Sequence, residues 1–378
     1  MASGRILYLG VFTGFAGGIE RYAFQTAGLL RAEGWKVDWC GSRSERGEDR
    51  FRSGFDTVLS PDELLSSKQD YDLAVLHKVP ALDLLKKLRI RFGERLVFLA
   101  HDHDLYCPRS YYYTPFGRIN CHRAYSPLRC SLCARLTSPR KWKNLKRNPG
   151  RILRELAGHH AVVISAFMRD NLIRNGFSPD RVHLIPPVIA IPEALRKSPE
   201  HTGFKIVFLG QLIRGKGADL LLDALRRMNV PWQAVIAGEG NDRPMLERLA
   251  SEYGIADKVR FTGWLDNPEE CFQECDAAVF PSRWQEPFGL SGAEALAHGI
   301  PVVAFDVGGV REWLTDSVSG FIVPEKDTAA MAEKLDLLYR DKSLAERLGQ
   351  AGRESVHSRF SPEQFAADLR KLLNSVTS

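Results

Sequence analysis

The chain has 378 residues, 44% of them hydrophobic, and 52 Lys and Arg against 46 Asp and Glu give it a net charge of +6. That length suits two domains with separate cores better than one. No apolar run approaches the roughly 18 residues of a membrane span, so the composition excludes an integral membrane protein.

Ile6 to Val11 follows a single basic residue and runs into a Gly-rich turn, which reads as a first strand rather than a signal-peptide core. The expected location is therefore cytoplasmic. Residues 1 to 190 hold 30 Lys and Arg against 18 Asp and Glu, so the first half is the basic half. Its densest stretch, Arg135 to Arg154, sets Arg140, Lys141, Lys143, Lys146, Arg147 and Arg151 around Trp142. Such a stretch suits peripheral contact with an anionic membrane or a lipid-phosphate acceptor, and a solvated basic loop is the alternative. No nucleic-acid motif accompanies the charge, and nucleic acid is not an expected partner.

In chain order, buried-strand candidates fall at Arg5 to Val11, Val37 to Cys40, Leu73 to His77, Leu96 to Ala100 and Ala161 to Ser165, separated by helical periodicity. A second series follows at Lys205 to Leu209, Gln233 to Ala237, Val259 to Thr262, Ala277 to Pro281, Pro301 to Phe305 and Phe321 to Val323. Each series predicts an α/β domain with a doubly wound parallel sheet. Pro186-Pro187 and the Pro- and charge-containing run to Gly203 have linker character, dividing the chain into 1–187 and 188–360. The final helix, with Phe365, Ala366, Leu369, Leu372 and Leu373 on helical spacing, needs a partner surface.

After the first strand, a turn ending in Gly17 and Gly18 opens a helix, where backbone can approach an anion or simply make a tight turn. His101-Asp102-His103-Asp104 closes the fourth strand. Cys107, Cys121, Cys130 and Cys133 follow, with C-x2-C at the end; they read as a structural zinc site, as free thiols or as a redox-labile pair. Cys271 and Cys275 share a helix face, and with Cys40 they read as packing. In the second series, Gly210-Gln211-Leu212-Ile213-Arg214-Gly215-Lys216 follows the first strand at the carboxyl edge, where ligands bind in such sheets, and Lys216 is the expected phosphate clamp. Its alternative is a surface lysine.

The most informative segment is Glu286-Pro287-Phe288-Gly289-Leu290, which opens into a helix carrying Glu294. Unpaired N–H groups at a helix start suit phosphate oxygens. Glu286 can accept from sugar hydroxyls, and Glu294 can meet a ribose diol. Ser291 and Glu294 also fit a capping box, which would make Glu294 a cap rather than a ligand.

That segment, with Gly299-Ile300-Pro301-Val302-Val303-Ala304 after it, resembles the retaining glycosyltransferases of family four, enzymes of two facing Rossmann-like domains called the GT-B fold. The resemblance extends to Gly17-Gly18-Ile19-Glu20-Arg21, Pro186-Pro187, Lys216-Gly217, Gly238-Glu239-Gly240, Val259 to Gly263 and Gly308-Gly309. It implies transfer of a sugar from a nucleoside-diphosphate sugar to a glycan or lipid-linked acceptor in cell-surface polysaccharide or glycolipid assembly, without a catalytic metal. Glu286 would contact the transferred sugar, Glu294 the donor ribose, His101 the reacting sugar and Arg260 the base. Gly17 and Gly18 would touch the diphosphate or the acceptor, and the last helix, 361–378, would cross back to the first domain. The chain departs from the family at Gln211, where an arginine is usual; Arg214 would have to replace that contact. Rival readings are a sugar-nucleotide epimerase of related fold and a sugar-nucleotide-binding subunit without activity.

Overall fold

The structure is a computed structural model describing residues 4–114, 119–136, 149–192, 203–265 and 270–377. Arg140 to Arg147 of the basic stretch and most of the run from Pro192 to Gly203 lie outside those residues. The chain divides into two compact units, Met1–Val188 with Pro362–Ser378, and Ile189–Ser361.

The first unit is built on strands β1 (Arg5–Leu9), β2 (Lys36–Cys40), β3 (Thr57–Leu59), β4 (Leu73–Leu76), β5 (Leu96–Ala100), β6 (Ala161–Val163) and β7 (Val182–Leu184). Their order is β3-β2-β1-β4-β5-β6-β7, and the pairs are parallel. Strands β4 and β5 are buried along their whole length, because crossover helices cover both faces of such a sheet and apolar side chains are needed on each. The helix Pro362–Thr377 belongs to this unit. It buries Phe365, Leu369 and Leu372, sets the Phe365 ring edge-on to Tyr22 at 6.4 Å, and pairs Arg370 with Glu33.

The second unit holds β8 (Lys205–Leu209), β9 (Gln233–Ala237), β10 (Val259–Gly263), β11 (Ala277–Phe280), β12 (Val302–Phe305) and β13 (Gly320–Val323), in the order β10-β9-β8-β11-β12-β13. These pairs are parallel too. In each sheet the strand order reverses once, between β1 and β4 in the first unit and between β8 and β11 in the second. Loops leaving the carboxyl ends of two such neighbours part to opposite faces and leave a crevice, the usual ligand position in open α/β sheets. Residues 10–17 and 77–80 flank that point in the first unit, and 210–217 and 281–289 flank it in the second.

Candidate functional site

In the second unit, the loops after β8 and β11 bring Lys216 and Glu286 together. Lys216 Nζ donates to both carboxylate oxygens of Glu286, at 2.8 and 3.0 Å, and Ser282 Oγ donates to Oε1 at 2.7 Å. Glu286 is therefore a buried carboxylate with defined partners, 7% exposed, rather than a solvated loop residue. Arg283, also buried, makes a bidentate pair with Asp219 and donates to the Arg214 carbonyl at 2.9 Å. Its backbone N–H donates to Gly215 O at 2.8 Å. The turn Arg214–Lys216 is thus fastened from the side of β11, which fixes where Lys216 begins.

Two glycines make that approach sterically feasible. A Cβ on Gly215 would lie 1.8 Å from the Trp284 ring, and one on Gly217, at φ 73°, 1.9 Å from the Pro281 carbonyl. Neither position has room for a side chain.

The helix Leu290–Ala297 starts from Gly289 at φ 100°, an N-cap residue with no side chain to accept from the first turn. The capping-box alternative fails for that reason: Ser291 is the second helical residue, inside the first turn. Gly292 N–H and Ala293 N–H both reach Gly289 O, whereas the N–H groups of Leu290 and Ser291 donate to nothing among the described residues. These two donors stand at the positive end of the helix, two to three residues beyond the Glu286-Pro287-Phe288 turn. The turn is rigid. Trp313 Nε1 donates to Phe288 O at 2.7 Å, Gly309 N–H to Glu286 O at 2.7 Å, and Gly308 N–H to Gln285 Oε1 at 2.6 Å. Phe288 is 2% exposed and packs on Phe360, so its side chain supports the turn, and only its backbone is available to a ligand.

Gln211 and Arg214 are both exposed at the same carboxyl edge, and no ion pair holds the Arg214 side chain among the described residues. Arg260 is placed differently. It pairs with Val235 near the start of β10, whereas Ala237 and Gly263 mark the carboxyl edge. Three residues of strand, roughly 10 Å, separate it from that edge. The sequence-expected contact of Arg260 with a base is not assembled in this unit. Arg243, at the start of the helix Arg243–Glu252, approaches Gly263 instead.

In the first unit, Gly17 precedes the helix Gly18–Ala32, and Glu20 reaches back to the N–H groups of Gly17 and of Glu20 itself. A side-chain carboxylate thus already occupies the anion position at that helix start. Burial raises the Glu20 carboxyl, while these N–H groups and the nearby Lys78 ammonium pull it down.

His77, at the end of β4, and His101, at the end of β5, are joined by an Nδ1···Nε2 contact of 3.0 Å. Their centroids lie 5.2 Å apart with the planes 20° from parallel. That separation is the bond length plus one ring radius on each side, so the rings meet edge to edge. His77 is 1% exposed among Tyr8, Tyr22 and Trp39, and its Nε2 has no partner among the described residues. A buried bare acceptor costs less than a buried orphan N–H, which favours the proton on His77 Nδ1, donating to His101 Nε2. His101 then carries its own proton on Nδ1. Burial pushes His77 down to about 3 and, with the neighbouring His77 and Lys78, holds His101 well below its ordinary range. Both rings are neutral.

Lys78 pairs with Asp102, at 2.6 Å, and with Asp104. Burial alone would pull its ammonium down; the two carboxylates more than offset that and hold it above its ordinary range. With His101 these groups border a pocket whose other wall includes Phe98, Leu105, Pro108 and Ile152. His103 turns away and is buried against Tyr106 and Tyr112.

The four cysteines share one neighbourhood. Cys107 feels Cys121 and Cys130, and Cys130 feels Cys121 and Cys133. Tyr112 N–H donates to the Cys107 sulfur while Tyr112 O accepts from Cys121 N–H, and Ser126 N–H donates to Cys130 Sγ at 3.4 Å. Burial pushes the Cys107 thiol up to about 11. Among the described residues no three His, Cys, Asp or Glu side chains are set as a metal ion requires, so the thiols are gathered without being closed on a common centre.

Residues 191–355 match the family described as Glycosyl transferases group 1, and residues 16–191 match Glycosyltransferase Family 4. The chain belongs to the group 1 glycosyltransferases. Among its relatives, it is 29% identical over 188 residues to the lipopolysaccharide core biosynthesis glycosyltransferase LpsE of Rhizobium meliloti, covering 50% of this chain and 54% of that one. It is 31% identical over 213 residues to the phosphatidyl-myo-inositol mannosyltransferase of Mycobacterium leprae, covering 54% of each. The chain spans about half the length of the curated relatives it matches. The crystal structure of Anabaena HepE in complex with UDP superposes with a TM-score of 0.76 at 18% identity, over 98% of this chain and 100% of that one. The fold of this group 1 protein is therefore GT-B.

Ser282, Arg283, Asp219, His77 and Lys78 were not singled out from sequence. Ser282 and Arg283 sit within four residues of Glu286, and that proximity was the available signal. Nothing in the sequence pairs Arg283 with Asp219, 64 positions earlier.

Proposed function

We propose that this protein transfers a glycosyl group from a nucleoside-diphosphate sugar to a hydroxyl of a glycan or lipid-linked acceptor, with retention of anomeric configuration. The observation that carries the reading is the Lys216–Glu286 pair beside the free N–H groups of Leu290 and Ser291, at the switch point of the second sheet. Departure of a nucleoside diphosphate concentrates negative charge on its oxygens. Fixed donors and a cation already in place meet that charge without reorganising. Lys216 and the two N–H groups serve the diphosphate, Glu286 turns its carboxylate to the sugar hydroxyls when Lys216 shifts to phosphate, and Glu294 serves the ribose.

His101 carries a neutral Nδ1–H donor, suited to a sugar oxygen at any working pH. Retention without a protein nucleophile follows a same-face course, in which the leaving diphosphate takes the proton of the incoming hydroxyl. Neighbouring folds with bound UDP and UDP-glucose and relatives named for lipopolysaccharide and phosphatidylinositol glycosylation support the donor and acceptor classes.

The test is a thermal-shift screen of nucleoside diphosphates and their sugars, followed by proton NMR of the product formed from the stabilising donor in EDTA. An α-linked donor should give an α-linked product with the chelator present. An inverted product, or activity restored only by Mg²⁺ or Mn²⁺, would contradict the reading.

We also propose that Cys107, Cys121, Cys130 and Cys133 hold a structural zinc. The support is their shared neighbourhood, the N–H groups donated to two of the sulfurs, and the C-x2-C pair one turn apart on the helix Pro127–Arg135. Binding would draw the sulfurs together and ionise the Cys107 and Cys130 thiols, which burial otherwise keeps protonated.

A further inference from the structure

From Leu105 to Arg154 the sequence carries 12 Lys and Arg and no Asp or Glu. A span of that length without one carboxylate has no counter-charge of its own. Inside it, the helix Pro127–Arg135 has two unlike faces. Ala134 is buried, and Cys130 and Cys133 are half-buried. Leu128, Leu132 and Leu136 recur every four residues, which places them on one face, and they are 83%, 56% and 53% exposed. Ile119, 58% exposed, and the exposed Arg123, Arg129 and Arg135 accompany them.

A single exposed leucine needs no explanation, but three on one face of a short helix form an apolar stripe that water does not favour. Its surroundings specify the occupant. Cations without carboxylates call for an anionic partner, and aliphatic rather than aromatic or amide side chains on the stripe call for acyl chains rather than nucleobases. Those two demands coincide at the surface of an anionic bilayer, where headgroup phosphates lie just above hydrocarbon.

We propose that the helix Pro127–Arg135 seats this protein on an anionic lipid surface, with Leu128, Leu132 and Leu136 among the acyl chains and Arg123, Arg129 and Arg135 among the headgroup phosphates. The surface goes beyond the proposed transfer reaction and does not depend on it. Vesicle binding needs no donor or acceptor.

The experiment is co-sedimentation of the full chain with vesicles of phosphatidylcholine alone and of phosphatidylcholine mixed with phosphatidylglycerol, at low and high salt. Binding to the mixed vesicles, at least about tenfold weaker to the neutral ones and weakened by salt, is the expected result. Arg123→Gln and Arg129→Gln should each weaken it about fivefold. The combined Leu128→Ser, Leu132→Ser and Leu136→Ser variant should weaken it at least about tenfold with only a small fall in unfolding temperature, because each of these side chains is more than half exposed. Three results would overturn the proposal: no sedimentation with the mixed vesicles at low salt, leucine variants that bind like the parent, or preferential binding of duplex RNA or DNA in a competition with the vesicles. A fourth is a concentration-dependent dimer abolished by the leucine substitutions, which would show a second copy covering the stripe.

Discussion

Lys216→Ala should destabilise the Ile189–Ser361 unit although it removes a lysine from a loop. The Glu286 side chain is 9% exposed and is held by two bonds from Lys216 and one from Ser282. Truncating the lysine leaves a nearly buried carboxylate with one hydroxyl for company. Breaking a fully buried ion pair costs about 3–5 kcal/mol, because the surviving charge is left uncompensated. Here the lysine side chain is 27% exposed, so water can enter where the ammonium stood, and about 2–3 kcal/mol is the better expectation. For a unit of this size that corresponds to about 5–10 °C in Tm. Glu286→Gln should cost less, about 1 kcal/mol, since the remaining ammonium can turn to solvent. The double variant should then be less destabilised than the sum of the singles, with a coupling of about 1–2 kcal/mol.

Differential scanning calorimetry of the four proteins, with Arg214→Ala as an exposed control, gives these quantities. If Lys216→Ala shifts the transition no further than Arg214→Ala does, the buried ion pair is not formed in solution and the geometry of the donor site is wrong.

Other outcomes follow from the same geometry. Arg214→Ala should lower kcat/KM about as much as Lys216→Ala if Arg214 serves the diphosphate, each charge-assisted phosphate contact being worth about 1.5–3 kcal/mol; steady-state kinetics decide this, and a silent Arg214→Ala together with a Gln211→Arg that tightens donor binding would show that the contact is missing. The buried His77 binds a proton only near pH 3 when folded but near 6.5 when unfolded, so the unfolded chain takes up more protons in that window. Its contribution to stability is complete above pH 6.5 and falls by about 1.4 kcal/mol for each pH unit below it; His77→Phe should flatten the acid limb of a denaturation-midpoint profile by that slope, and an unchanged limb would place His77 in contact with water. Native mass spectrometry should find one zinc per chain, lost in Cys130→Ser with Cys133→Ser; no zinc in freshly purified, reduced parent protein would leave these residues as free cysteines.

The central strands were legible because a parallel sheet covered on both faces demands short, continuous apolar runs, and Leu96–Ala100 and Val302–Phe305 are such runs. The edge strands Thr57–Leu59 and Val182–Leu184 were not: three residues, two of them half-exposed, carry no periodicity to read. At the site, Lys216 and Glu286 could be named from the loops they occupy. Their direct pairing could not, since it depends on which strands flank the reversal of order, and that order is a tertiary fact.

Ser291 and Glu294 show the opposite failure. Their spacing imitates a capping box, but Gly289 at positive φ starts the helix two residues earlier, so the local pattern is overridden by the turn before it. The base contact of Arg260 is implied by resemblance alone; the pairing with Val235 sets this residue toward the amino end of its strand, away from the carboxyl edge.

The most direct test of the account is release of nucleoside diphosphate from a panel of nucleotide sugars, followed by proton NMR in EDTA, with the parent protein and Glu286→Ala side by side. The parent should consume at least one donor, and Glu286→Ala, still folded by calorimetry, should do so at least about a hundredfold more slowly, the loss of close to 3 kcal/mol of transition-state stabilisation. Equal rates for the two proteins, or a parent that neither binds nor consumes any nucleotide sugar, would contradict it.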